Sequence, residues 1–128
     1  MSSLDQKIKQ FRKAINSLQE VLAKEKDDII RDSTIQRFEY TYELCWKSAK
    51  EFLREQCGVD ALSPKKVFRD LGKNNYISDE EVEDLIRMTD ARNEIAHIYD
   101  EKLADKLYDE IRDKYCKLND DVYRKLYD

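Results

Sequence analysis

The sequence predicts an all-α protein, an antiparallel up-and-down helical bundle of four longer helices and one short one. Three observations carry this. The chain of 128 residues holds only two glycines and one proline, which leaves little room for long irregular loops. Glu, Lys, Leu, Asp and Arg are abundant, while β-branched residues never form a strand-length run. Apolar residues recur at steps of three and four along most of the chain, the period of a helix with one buried face. The length suits one domain spanning 1–128, able to bury about two-thirds of its unfolded surface.

The first helix carries the stripe Leu4, Ile8, Phe11, Ile15, Leu18 and Leu22. Residues 24–28 form a charged break expected to be solvated. Asp32 or Ser33 would cap a second helix, whose stripe is Ile35, Phe38, Tyr42, Cys45, Ala49 and Phe52, widened by Trp46 and Leu53. Gly58 stands where a left-handed C-terminal residue is wanted. Ser63-Pro64 reads as a cap with proline at the first helical position of a short helix bearing Val67, Phe68 and Leu71, which stops near Gly72 to Asn75. Ser78 and Glu81 make a capping box for a fourth helix, with Val82, Leu85, Thr89, Arg92 and Ala96 inward. Asp100 caps a last long helix with Leu103, Leu107, Ile111, Tyr115, Leu118, Val122 and Leu126 inside.

Composition removes several classes. No apolar run reaches the roughly 18 residues of a membrane span and no secretory signal opens the chain, so the expectation is a cytoplasmic protein. A formal charge of −4 argues against a nucleic-acid coat protein but leaves room for a locally basic site. One histidine and three cysteines without Cys-x-x-Cys spacing give no zinc site, and no phosphate-binding glycine loop or nucleophile elbow is present, so no metal or cofactor is expected. Cys45, on an apolar face, reads as a buried free thiol.

The candidate site is the stretch Ala91-Arg92-Asn93-Glu94-Ile95-Ala96-His97-Ile98-Tyr99-Asp100, which holds the only histidine. Arginine offers a cationic fork for phosphate, histidine titrates near neutrality and tyrosine supplies a phenol. At 100° per residue, His97 lies about 140° around the axis from Arg92, so one straight helix cannot aim both at one small group. Either the helix ends or bends between them, or a second copy of the chain shares the site. Lys65, Lys66, Arg69 and Lys73 form one basic face, and Lys47, Lys50 and Arg54 another. Either could guide RNA, although solvated surface is the plainer reading, and the tyrosines read as packing and interface residues.

Arg-x4-His-x-Tyr at a helix end, together with Ile35-Gln36-Arg37-Phe38-Glu39-Tyr40 and Glu43-Leu44-x-Trp46-Lys47, resembles the HEPN superfamily. More narrowly it is similar to the HepT-like group, the nucleotidyltransferase substrate-binding proteins, over nearly the whole chain. The resemblance implies a HEPN-like bundle that forms a homodimer with the motifs facing across the interface. It implies a toxin of a toxin–antitoxin pair, acting as a metal-independent endoribonuclease. Arg92 would hold the scissile phosphate, His97 would act as general acid or base, and Asn93 would orient neighbouring groups. A cognate minimal nucleotidyltransferase, the antitoxin, would silence it by AMP addition to Tyr99. The alternative is a non-catalytic subunit that binds the nucleotidyltransferase and presents substrate to it.

Overall fold

The structure, a computed structural model, describes residues 2–127. Its bundle begins with α1 (Ser3–Leu22), where the Ser2 hydroxyl accepts the Asp5 amide at 3.1 Å. The expected stripe is buried from Leu4 to Leu18, and Val21 closes it while Leu22 is partly buried. Next comes α2 (Asp28–Cys57), 30 residues long, which packs on α1 and on α3, α5 and α6 defined below. This helix starts earlier than Asp32 or Ser33. Asp27 is its cap, accepting the Ile30 amide at 2.7 Å, so the charged break is partly structural. Lys26 is likewise engaged, bonded to Asp105 at 3.0 Å and lying 5.0 Å from the Tyr108 ring centre.

A helix packed on several neighbours needs more than one buried face, and α2 has a second line beside its apolar stripe. Thr34, Thr41 and Ser48, seven residues apart, are fully buried. Thr34 and Thr41 return their hydroxyls to the carbonyls of Ile30 and Arg37 at 2.7 and 2.6 Å, which removes most of the cost of burying them. Gly58 ends α2 at φ +65, as its position predicts. The three cysteines are free, and burial pushes the Cys45 thiol far up, leaving it an inert filler of the core.

The chain reverses through α3 (Pro64–Lys73), capped by Ser63, into α4 (Asp79–Asn93), which opens with the reciprocal Ser78–Glu81 capping box. Gly72 lets these two helices touch: a Cβ there would stand 2.6 Å from Val82 Cγ2. After a 3₁₀ turn (Glu94–His97), α5 (Glu101–Glu110) continues through a π-helical turn (Ile111–Tyr115) into α6 (Cys116–Tyr127). The expected last helix is therefore one rod with a wide turn in it. Its stripe steps 103, 107, 111 and 115, and each step of four overshoots an α-helical face by about 40°. The π turn takes up that drift and keeps Ile111 and Tyr115 inward. Buried Asn119 donates to the Tyr115 carbonyl at 2.8 Å, and Tyr115 stacks on Phe38 with ring centres 5.9 Å apart. Among the described residues there is no strand, and no helix is long and apolar enough to cross a membrane.

The two glycines differ in kind. Gly72→Ala meets a stiff valine and should lower stability by about 1–3 kcal/mol, and Gly58→Ala should cost about 1–2 kcal/mol through its backbone alone. Urea denaturation in a Val82→Ala background separates them. The Gly72→Ala cost shrinks there, whereas the Gly58→Ala cost stays constant.

Candidate functional site

The segment from Arg92 to Asp100 is a helix end, a turn and a helix start. At Asn93, α4 stops being α-helical and the 3₁₀ turn begins. The Ile98 amide donates to Ile95 O at 3.2 Å and that of Asp100 to His97 O at 3.1 Å. The Asp100 carboxylate then accepts the Lys102 amide at 2.9 Å and starts α5, as its position predicts. The helix does end between Arg92 and His97, but within one chain this does not bring the two side chains together. Ala96 accordingly leaves the inner face and is exposed, which corrects its assignment to the core.

Arg92 stays with the bundle. One guanidinium nitrogen, Nη2, is 3.2 Å from Glu39 Oε2, and Nε is 3.8 Å from Glu43 Oε1. The second distance exceeds hydrogen-bond reach, and Nε is buried without an acceptor. Close by, the Tyr42 hydroxyl donates to Thr89 Oγ1 at 3.0 Å, and Thr89 donates to Leu85 O. Burial pushes the Tyr42 phenol up to about 12, so it remains a neutral donor at physiological pH. Thus α2 presents Glu39, Tyr42 and Glu43 to one side of α4. Arg92 and Asn93 line a cleft of about 320 Å³ whose other walls include Trp46, Pro64 and Lys65.

His97 and Tyr99 occupy the outer turn. Both are exposed, Tyr99 at 81%, and their rings meet edge to face with centres 6.1 Å apart. No hydrogen bond, ion pair or ring contact joins His97 to Arg92 among the described residues. The four candidate residues therefore form two pairs: Arg92 with Asn93 at the cleft, and His97 with Tyr99 outside it.

The part that three residues play here escaped the sequence reading, although two of them stand in the motifs quoted above. Glu39 and Glu43 are the partners of Arg92, and their spacing of four, which puts both on one face, was the available signal. The third is Arg31, buried near the start of α2. Its Nε is 3.0 Å from Asp32, its Nη1 is 3.3 Å from Asp105 and 3.6 Å from Asp28, and its Nη2 is 3.9 Å from Glu101. The hydrogen bond to Asp32 raises its already high pKa. Because Glu101 and Asp105 lie on the first turns of α5, Arg31 fixes the element next to the His97–Tyr99 turn. On the short-helix basic face, Lys65 pairs with Asp90 at 2.7 Å and Lys66 with Asp70 at 2.7 Å, so part of its charge is already neutralised.

The chain matches, over residues 6–128, the family described as nucleotidyltransferase substrate binding protein like. It belongs to that family. A solved structure from Thermus thermophilus is 34% identical, covering 92% of this chain and 99% of that chain at a TM-score of 0.86. A tri-AMPylated Shewanella oneidensis HEPN toxin, solved in complex with an MNT antitoxin, is 22% identical over 99% and 98% of the two chains, TM-score 0.80. A Haemophilus influenzae protein whose structure shows the fold of a substrate binding domain of a nucleotidyltransferase is 21% identical over 94% and 99%, TM-score 0.78. The last two share the fold with this family member. No match to a curated protein was found.

The carboxylates that brace α5 give a pH prediction. Lys26 first, then Arg31, hold Asp105 below the ordinary aspartate range. A depressed folded pKa contributes stability above the unfolded value, about 3.9, and that contribution is lost as pH falls through the folded value. Thermal melts from pH 5 downward should therefore show the wild-type midpoint falling more steeply below about pH 4 than that of Asp105→Asn. Parallel curves would remove Asp105 from the acid response.

Proposed function

We propose that this family member is the toxin of a toxin–antitoxin pair, a metal-independent endoribonuclease that works as a dimer through Arg92 and His97. The observation that carries the reading is the placement of Arg92. It is held on the bundle face by Glu39 and lines a cleft, with about a third of its side chain open to solvent. A guanidinium so placed can take a phosphate oxygen and stabilise the charge that develops on it. In the cleavage step a base removes the proton of the ribose 2′-hydroxyl and that oxygen attacks the phosphorus. The 5′-oxygen leaves and takes a proton, giving a 2′,3′-cyclic phosphate and a 5′-hydroxyl. His97 is the only imidazole of the chain and is open to solvent, so a pair of chains supplies one imidazole for each proton. Asn93 orients the phosphate or the attacking group from the same cleft. The separation of Arg92 from His97 within one chain is the reason the reading requires two.

Silencing falls to Tyr99. A phenol that is 81% exposed is accessible to a partner enzyme, and its ring already faces His97. A cognate minimal nucleotidyltransferase would transfer AMP from ATP to the Tyr99 oxygen with loss of pyrophosphate. That adds a negative charge and a nucleoside beside the imidazole. The AMPylated state of the Shewanella oneidensis toxin and its complex with an antitoxin support this assignment by analogy.

A second reading has its own support. Glu39 and Glu43 surround Arg92 with two carboxylates, an arrangement that also suits a non-catalytic subunit docking a nucleotidyltransferase. RNA cleavage by protein shown by intact mass to be unmodified, in the presence of EDTA, decides between them. Cleavage should persist in EDTA and fall by about 10²-fold or more in Arg92→Ala and in His97→Ala. Absence of cleavage across several RNAs would favour the docking subunit. Sedimentation as a monomer at micromolar concentration would count against the shared site.

A further inference from the structure

Trp46, the only tryptophan of the chain, stands between two hollows. On one side it lines the cleft of Arg92 and Asn93. On the other it lines a hollow of about 250 Å³ walled by Lys7, Lys47, Lys50, Arg54 and a single carboxylate, Glu51. Lys47, Lys50 and Arg54 succeed one another on α2 at steps of three and four, a row about 10 Å long on one face. Glu43 links the two sides. It accepts the indole Nε1–H at 3.3 Å, it faces Arg92, and Lys47 reaches it at 3.4 Å. A guanidinium, an aromatic plane and a row of cations thus occur in succession, which is how sequence-tolerant sites hold single-stranded nucleic acid.

We infer that a single-stranded RNA lies along α2, with its scissile phosphate at Arg92, the adjacent base stacked on Trp46, and the next phosphates on Lys47, Lys50 and Arg54. This rests on the ribonuclease reading and names the substrate form for it. A duplex does not fit, because its bases are already stacked and none is free to cover the indole. Charge alone does not select the ligand. Lys50 is 3.5 Å from Asp60 and Glu51 serves both Lys7 and Arg54, so arriving phosphates exchange one anionic partner for another. The base on Trp46 therefore carries much of the affinity.

Trp46 is its own reporter. The whole protein, unmodified at Tyr99, is titrated with a roughly eight-nucleotide 2′-O-methyl oligonucleotide, which binds without being cleaved. Trp46 fluorescence should be quenched saturably. A strand of the same length with abasic sugars should leave the emission unchanged and bind about tenfold more weakly by anisotropy. Lys50→Glu with Arg54→Glu, two surface changes, should raise Kd about tenfold and flatten its salt dependence. Trp46→Phe should bind nearly as wild type, and Trp46→Leu, checked for folding by its melt, about tenfold more weakly. Equal affinity for the abasic strand, equal affinity for the duplex, or a Kd unmoved by the charge reversals would overturn the inference. If cleavage still depends on Arg92 and His97 in that case, only the path along α2 is lost. If neither binding nor cleavage is seen, the ribonuclease reading falls with it.

Discussion

Inside the bundle the Tyr42 phenol bonds to Thr89 at 3.0 Å, and one turn further along both helices Glu39 holds Arg92 at 3.2 Å. These contacts tie α4 to α2, and the positions of Arg92 and Asn93 depend on them. The hydrogen bond contributes about 1 kcal/mol net, but opening it leaves the buried Tyr42 hydroxyl without a partner, which costs more than the bond gains. A slip of α4 would incur that cost and would also unseat Arg92 from its carboxylate. The ion pair adds little stability, since both partners are about a third exposed and solvent screens them. Its effect is on direction: it holds a long, flexible side chain at the mouth of the cleft.

The end of α4 has a different cause. No glycine or proline interrupts residues 91–100, so nothing in local propensity stops the helix at Asn93. The stop is imposed by the next helix. Asp100 caps α5, and Arg31 draws Glu101 and Asp105 toward the start of α2. With α4 pinned at Thr89 and α5 pinned at Arg31, the intervening residues must turn, and a tight 3₁₀ segment closes the gap. His97 and Tyr99 are exposed as a result.

This is why the fold was legible in the sequence and the site only half so. Helix stripes and caps rest on local chemistry, and Ser63, Ser78, Gly58 and Asp100 all act where their types and spacing place them. Where a long-range partner decides, the local pattern misleads. Asp27, not Asp32 or Ser33, caps α2, so Arg31 lies inside the helix and is buried. Ala96 continued the stripe but not the chain's path. Thr34 and Thr41 looked polar and line the core, since a hydroxyl returned to its own helix carbonyl can be buried at small cost, whereas the buried Ser48 hydroxyl has no such partner. The π turn did leave a trace, in the repeated steps of four before Tyr115.

Charge sets the last constraint on function. With a net charge of −4 and most cations near the cleft already facing carboxylates, this protein cannot rely on a basic groove to gather nucleic acid. Its cations are nonetheless arranged rather than scattered, Arg92 and Lys65 at the cleft and three along α2, with an indole between them. A site of this kind binds weakly until a ligand offers a phosphate and an unpaired base together, and its carboxylates oppose every phosphate that lacks the base. On the proposed path along α2, selectivity for single strands would arise from the same pairs that make the surface acidic. In that proposal Glu39 and Glu43 would hold Arg92 in place while opposing anions that bring nothing else.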